Sequence, residues 1–326
     1  MTKLFPRRKF LHLLAGAAAF PSVARFAWAQ TYPSRPVRFI LPVVAGGSSD
    51  VVARLMGEHL SRAFGHQFFV DNRSGAGGTA GMEAVAKSAP DGYSILVTSD
   101  RVASAPHAFK LNFDPIRDLV PVIQLTRQPL VLVVHHSLGI GSLAEFLVRA
   151  RAEPGMNYAT SGVGIHQHVV GEWFQELAGI KLAVVPYRGG GQVINDLIAG
   201  HVKVGVLGST PLIPHHKAGT LRLLAQSSAE RSPGLRDVPT FREAGFEKLV
   251  LDQWIGVFVP TGTPSAIIVR LNAEINKALD APAVRANLEQ QALEPVGGSA
   301  EEASRLFRDD VEKYGRLMKE LNISAG

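Results

Sequence analysis

The chain has 326 residues, 46% of them hydrophobic and 19% charged, with 32 glycines and 20 prolines, a balance that belongs to soluble globular proteins and excludes a disordered or fibrous one. Its length predicts two domains, and the absence of cysteine excludes disulfides, thiolate metal sites and a cysteine nucleophile. The formal charge of +6 sits almost wholly in the first 29 residues, where Lys3, Arg7, Arg8, Lys9 and Arg25 meet no acid; the rest carries 29 basic against 28 acidic side chains. Such a near-neutral body lacks the electrostatic footprint of a nucleic-acid binder, so no nucleic-acid partner is expected.

Residues 1–29 read as an export signal. A basic start is followed by the apolar run from Leu11 to Phe20 and by Ala27-Trp28-Ala29 as an A-x-A cleavage site. Arg7-Arg8-Lys9-Phe10-Leu11, the alanine-rich core and Arg25 near the cut favour twin-arginine export over the general secretory route. Either route predicts a bacterial periplasmic protein, and no later stretch holds about 18 uninterrupted apolar residues to span a membrane.

From Thr31 onward strand and helix signals alternate, which predicts mostly parallel sheets covered on both faces. The Val37–Leu41 stretch alternates as a strand and ends in Val43-Val44-Ala45-Gly46-Gly47-Ser48-Ser49-Asp50. Val51, Val52, Leu55 and Leu60 then recur at helical spacing over 50–63, with Ser49 or Asp50 placed to cap. A strand that empties through two glycines into a helix start aims several unpaired N–H groups, and the positive end of the dipole, at one small space, and such a space binds anions. The plainer alternative is that Gly46 and Gly47 only make a tight turn.

Strands are next predicted over 67–70 and 94–98, with a helix over 79–88 between them. The loop Gly75-Ala76-Gly77-Gly78-Thr79-Ala80 fits G-x-G-x-x-A, and Asp100 follows it behind a strand, as in a dinucleotide site. Against this, Asn72-Arg73-Ser74 parts the strand from the first glycine. After a proline-punctuated passage over 113–121, two buried strands are predicted at 122–125 and 130–134, with a crossing into a second domain near Thr126.

A helix over 143–152 and a strand over 157–160 lead to Ser161-Gly162-Val163-Gly164, which opens a helix over 166–177 and repeats the first junction. Two such junctions, one per domain, would face each other across a cleft. Val184-Val185-Pro186-Tyr187 runs through Arg188-Gly189-Gly190-Gly191 into a helix over 192–199, a third junction. Strands over 202–207 and 221–225 flank a short helix over 211–217. The strand over 254–259 returns to the first domain, and helices over 265–279, 282–291 and 300–321 finish the chain, the last with Leu306, Val311 and Leu317 as apolar contributors.

Catalytic patterns are missing. No serine has the G-x-S-x-G frame and there is no H-E-x-x-H. The pairs His135-His136 and His215-His216 and the triplet His166-Gln167-His168 have poor ligand spacing, so neither metal nor cofactor is expected. His168 is either a structural residue of its helix face or a contact beside the second loop; Arg188 either pairs with a carboxylate or is simply exposed.

The ordered segments Tyr32-Pro33-Ser34-Arg35-Pro36, Gly46-Gly47-Ser48-Ser49-Asp50, Asn72-Arg73-Ser74-Gly75-Ala76-Gly77-Gly78, Ala89-Pro90-Asp91-Gly92-Tyr93, Asn157-Tyr158-Ala159, Val185-Pro186-Tyr187-Arg188-Gly189, Asp237-Val238-Pro239-Thr240 and Pro295-Val296-Gly297-Gly298 resemble the substrate-binding proteins of tripartite tricarboxylate transporters, the Bug family. The resemblance covers essentially all of the mature chain. It sets the dinucleotide reading aside, because the Asn-Arg-x-Gly-Ala-Gly-Gly run is that family's own.

The resemblance implies an α/β, two-lobed periplasmic-binding-protein fold of the type II Venus flytrap class, each lobe a mostly parallel sheet flanked by helices. Lobe I would comprise 30–126 and 253–326, and lobe II 127–252. It also implies a monomeric, non-enzymatic protein without cofactor that captures a small organic carboxylate and delivers it to two integral membrane permease subunits. The carried-over ligand set is Ala45, Gly46, Gly47, Ser48, Ser49 and Asp50 in the first loop and Thr160, Ser161, Gly162 and Gly164 in the second, with His168 beside it. Thr98, Ser99 and Asp100 at a strand end, Tyr187, Arg188 and Gly189 in the third junction, and Ser209 complete it.

Three departures bear on the ligand. Val43-Val44-Ala45 stands where the family has an aromatic and a proline, and the acids it often carries near Val202-Lys203-Val204 and Leu207-Gly208-Ser209 are missing. Those acids can meet an ammonium group, so an amino-acid ligand is disfavoured. Asp100, where the family has a small or uncharged residue, either restores that preference or caps a turn. A sensor that presents its closed form to a membrane kinase or chemoreceptor is the alternative role.

Overall fold

The first lobe is assembled around a strand–helix–strand–helix–strand run. In the computed structural model, which describes residues 32–323, β1 (Val37–Leu41) is followed by α1 (Ser48–Phe64), β2 (Phe68–Asn72), α2 (Thr79–Ala86) and β3 (Ser94–Ser99). The three strands pair in parallel in the order β2-β1-β3. α1 forms because Val52, Ala53, Met56 and Leu60 share one face, and that face is buried. The expected export signal lies outside the described residues.

Two short helices follow, α3 (Arg101–Ala108) and α4 (Pro115–Asp118), neither expected from the sequence. Pro106 inside α3 masks it; α4 is a single turn capped by the Asp114 carboxylate, which accepts from the N–H groups of Ile116 and Arg117, with Pro115 at its start.

The two strands expected at 122–125 and 130–134 are one 17-residue strand, β4 (Leu119–His135). Its first part pairs antiparallel with β9 (Asp252–Pro260), and its last part with β7 (Val204–Gly208) and β8 (Leu221–Gln226). Pro129 in the gap hides the continuity and Pro121 the true start, since proline gives no ladder donor; the register slips beside Pro121 and absorbs the loss there.

The second lobe repeats the first. α5 (Leu143–Ala152), β5 (Met156–Thr160), α6 (His166–Ala178), β6 (Leu182–Pro186) and α7 (Gly190–Ile198) lead into β7, giving a parallel triplet β7-β5-β6. α8 (Ile213–Lys217) precedes β8. The chain closes with α9 (Ser265–Asp280), α10 (Pro282–Gln290), an unexpected strand β10 (Glu294–Gly297) on β4, and α11 (Ala300–Glu320).

One sheet thus runs β2-β1-β3-β9-β4-β7-β5-β6 through both lobes, parallel on its flanks and antiparallel where β9 and β4 cross. One face carries an apolar core that continues from Ile40, Leu96 and Tyr314 to Phe146 and Phe174. The other face carries two separate cores, one around Phe39, Met56 and Ile275, the other around Val133, Ile194 and Leu212. The carboxyl ends of β1, β3, β5 and β7 meet near the gap between those two cores, the usual place for a ligand in open α/β sheets.

Candidate ligand cleft

The first wall is the β1–α1 junction. Gly46 turns with φ +95°, a left-handed conformation that strains any other residue. α1 begins two residues earlier than expected, so Gly47 rather than Ser49 or Asp50 is the N-cap, and it has no side chain to satisfy the first turn. The N–H groups of Asp50 and Val51 return to Gly47 O, whereas those of Ser48 and Ser49 find no acceptor among the described residues. The Asp50 carboxylate turns back into the junction: it accepts from Gly46 N–H at 3.3 Å, from Arg54 at 2.9 and 3.0 Å, and from Asn72 at 3.0 Å. Burial works to raise its pKa, but the bonds from Arg54, Asn72 and Gly46 outweigh it and hold the carboxyl below its usual range.

The second wall is the β5–α6 junction, and here side chains of α6 fill their own loop. Gln167 Oε1 accepts from Ser161 N–H at 2.9 Å and Ser161 Oγ at 2.6 Å; His168 Nδ1 accepts from Gly164 N–H at 3.1 Å; Thr160 Oγ1 donates to Gly162 O. The third junction touches the first. A Cβ on Gly189 would stand 2.5 Å from Val44 Cγ2, and one on Gly191 2.5 Å from Ala45 O, so only glycine permits this approach of the lobes.

Between these walls lies a cavity of about 40 Å³, about three times what one water needs. Its polar side holds Ser48, Ser49, Ser99, Ser161 and Arg101, its apolar side Val43, Val44, Ile194, Leu207 and Pro211. A chain of amides and an imidazole forms its floor. Thr210 N–H and Oγ1 and Ser48 Oγ all donate to Gln128 Oε1. The backbone N–H of Thr210 can only donate, so Gln128 Nε2 must be the donor to Gln253 Oε1, at 2.6 Å, and Gln253 Nε2 in turn donates to His166 Nε2. His166 therefore carries its proton on Nδ1, which lies 2.7 Å from Asp100 Oδ1, though off the line of a hydrogen bond. The other Asp100 oxygen accepts from Tyr314 O–H of α11.

Arg101 is the only formally charged residue of the lining among the described residues. It is 3% exposed. Its Nη1 donates to Gly77 O and its Nη2 to Ser161 O at 3.2 Å, while Nε finds no partner among the described residues. Burial pushes its pKa down to about 10, with the Asp100 charge opposing; the guanidinium stays charged at neutral pH.

Of the residues expected from the sequence, Gly47, Ser48, Ser49, Ser99 and Ser161 line this cavity. Ala45 and Gly46 abut Gly191, and Gly189 abuts Val44. Gly162, Tyr187 and Arg188 line a neighbouring hollow beside Gly75, Gly77 and Phe109. Asp50, Thr98, Asp100, Thr160, Gly164, His168 and Ser209 are not among the cavity's lining residues; Tyr187 O–H is held by Asp196 at 2.6 Å, and Thr98 and Ser209 keep buried hydroxyls without partners among the described residues. Sequence reasoning missed Arg101, His166, Gln167 and Gln253. Arg101 had one signal, its place directly after a predicted strand end; Gln253 and His166, 87 positions apart, had none. No cluster of three or more metal-ligating side chains occurs among the described residues, and none of their helices is long and apolar enough to cross a membrane.

The chain as a whole is similar to known proteins. Protein BugT of Bordetella pertussis is 36% identical over 299 residues, which cover 90% of this chain and 91% of BugT. Among solved structures, R. palustris Rpa4515 with adipate superposes with a TM-score of 0.87 at 31% identity, over 90% of this chain and 99% of that one. MatC from Rhodopseudomonas palustris with bound malate gives 0.82 at 28%, over 88% and 99%. Residues 52–323 match the model of the tripartite tricarboxylate transporter family receptor, and with a two-lobed fold and a relative alike over nearly its whole length, the chain belongs to that family.

Proposed function

We propose that the protein is a periplasmic solute-binding protein that captures a small organic carboxylate between its lobes and hands it to two integral membrane permease subunits. It works as a monomer, without cofactor or catalysis. The observation that carries this reading is the pair of acceptor-free N–H groups of Ser48 and Ser49 at the start of α1, facing a cavity whose lining, among the described residues, contains no aspartate or glutamate. In a water-poor cleft each N–H···carboxylate bond contributes about 1.5–3 kcal/mol. The adipate and malate named for Rpa4515 and MatC support the same ligand chemistry. Gly47, Ser48, Ser49, Ser99 and Ser161 are the contacts we assign, in lobes bounded at 30–126 with 253–326 and at 127–252.

The test is a thermal-shift screen of the ligand-stripped mature chain, from Gln30 on, against carboxylates and their amides. A carboxylate at about 100 times its Kd adds roughly 2.7 kcal/mol of stability and raises the melting point by a few degrees, while its amide does not. Stabilisation only by neutral compounds or by a metal ion would overturn the reading.

A further inference from the structure

We propose that Arg101 is the counter-ion of the ligand and makes the site selective for acids that carry no ammonium group, an assignment that rests on the carboxylate reading above. Arg101 opens α3 at the carboxyl end of β3, lines the cavity and is 3% exposed. A charge this buried calls for an opposite charge or a full set of hydrogen bonds. Among the described residues no carboxylate contacts it, and the Asp100 charge supports it only through space. Two of its five N–H donors reach carbonyl oxygens, those of Gly77 and Ser161, and Nε reaches nothing. The neighbouring carboxylate cannot fill the gap, because Asp100 is turned toward Tyr314 and His166. What the site lacks is an anion presented from the cavity, and the planar fork of a guanidinium suits a carboxylate.

The same lining excludes an ammonium. The amide oxygens that could have accepted from one already hold other donors: Gln167 Oε1 two from Ser161, Gln128 Oε1 three from Ser48 and Thr210, and Gln253 Oε1 one from Gln128. An ammonium beside the carboxylate would meet the Arg101 charge with no acid in the cavity lining, among the described residues, to offset it, whereas an aliphatic body meets Val43, Val44, Ile194, Leu207 and Pro211. Arg101 also stands at the seam, with Gly77 in the first lobe on one side and Ser161 in the second on the other. Pairing with the ligand therefore happens at the point where the lobes meet.

The experiment is titration calorimetry of the wild type, Arg101→Gln and Arg101→Lys with the matched probes propionate and alanine, succinate and aspartate, adipate and 2-aminoadipate. The expected result is that the wild type binds at least one acid roughly 10- to 100-fold more tightly than its amino counterpart. R101Q loses affinity for that acid by a similar factor, and R101K recovers part of it. Melting of the ligand-free variants confirms folding, and Arg101→Met serves if R101Q does not fold. A wild type that binds an acid which R101Q or R101M binds equally well overturns the role of Arg101 and leaves the carboxylate reading standing. A wild type that prefers the amino partners overturns the selectivity. A wild type that binds neither these six probes nor any other carboxylate overturns both.

Discussion

Asp310 of α11 shows how this molecule tolerates a charge it would fold better without. Burial, with the Asp100 charge nearby, raises its pKa to about 6, although Trp254 Nε1–H donates to it. A carboxyl whose folded pKa lies above its unfolded value of about 4 holds its proton more tightly when folded. That favourable difference is fully present below about pH 4 and fades as pH rises through about 6; above that the buried charge is a penalty of about 3 kcal/mol. Asp310→Asn keeps an acceptor for Trp254 and removes the charge. It should stabilise the protein by about 2–3 kcal/mol at pH 8 and by almost nothing at pH 4, as read from urea midpoints. The reverse holds at Gln253, whose two amide atoms are both committed: Gln253→Leu leaves Gln128 Nε2 and His166 Nε2 unpaired and should cost about 2–4 kcal/mol in the same assay. Such residue-scale couplings were illegible in the sequence. Gln128, His166 and Gln253 are ordinary polar letters until the sheet brings them together. Arg101 carries no mark of burial except its position after a strand.

Elements were far easier to read, because hydrophobic period and glycine punctuation are local. The β1–α1, β5–α6 and β6–α7 junctions stand where alternating strands run through glycines into amphipathic helices. What the sequence could not disclose is which N–H groups stay free: in the second junction Gln167 and His168 occupy them, and in the first Asp50 takes Gly46 N–H while those of Ser48 and Ser49 find no acceptor among the described residues. The missed elements have particular causes. Pro106 disguises α3, Pro121 and Pro129 split β4 on paper, and β10 is four residues long and recognisable only by its pairing with β4. The glycines of the third junction allow contact rather than a turn, and that is testable. Gly191→Ala drives a methyl against Ala45 O at 2.5 Å, so the lobes should no longer meet. Carboxylate affinity should fall at least about tenfold, while the ligand-free melting point changes little because the cleft can open to relieve the clash.

At the scale of the whole molecule, the two lobes lie side by side along one sheet and are joined unequally on its two faces. The core that runs from Ile40 to Phe174 ties them together on one side, and the separate cores on the other leave each lobe its own body. Opening should therefore expose the cavity side without parting the α11 side. Small-angle scattering of the ligand-free protein should show a radius of gyration that falls when a binding carboxylate is added, and Trp254, buried beside Asp310, should change its emission little in the process. The α/β class was legible from the alternation of elements, and the two-lobed fold from the family resemblance. The continuity of the sheet was not, because two prolines read as breaks where the structure bends through them.

β4 spans 17 residues without a loop, and it exchanges β9 for β7 and β8 within the few positions around Pro129. Lobes joined this way cannot swing on a slack linker; they must wring two extended strands against each other, as one twists a ribbon. The fulcrum of that torsion falls at Gln128 and Gln253, directly under the cavity. A ligand of a few atoms that locks this point needs no long reach to set the attitude of both lobes.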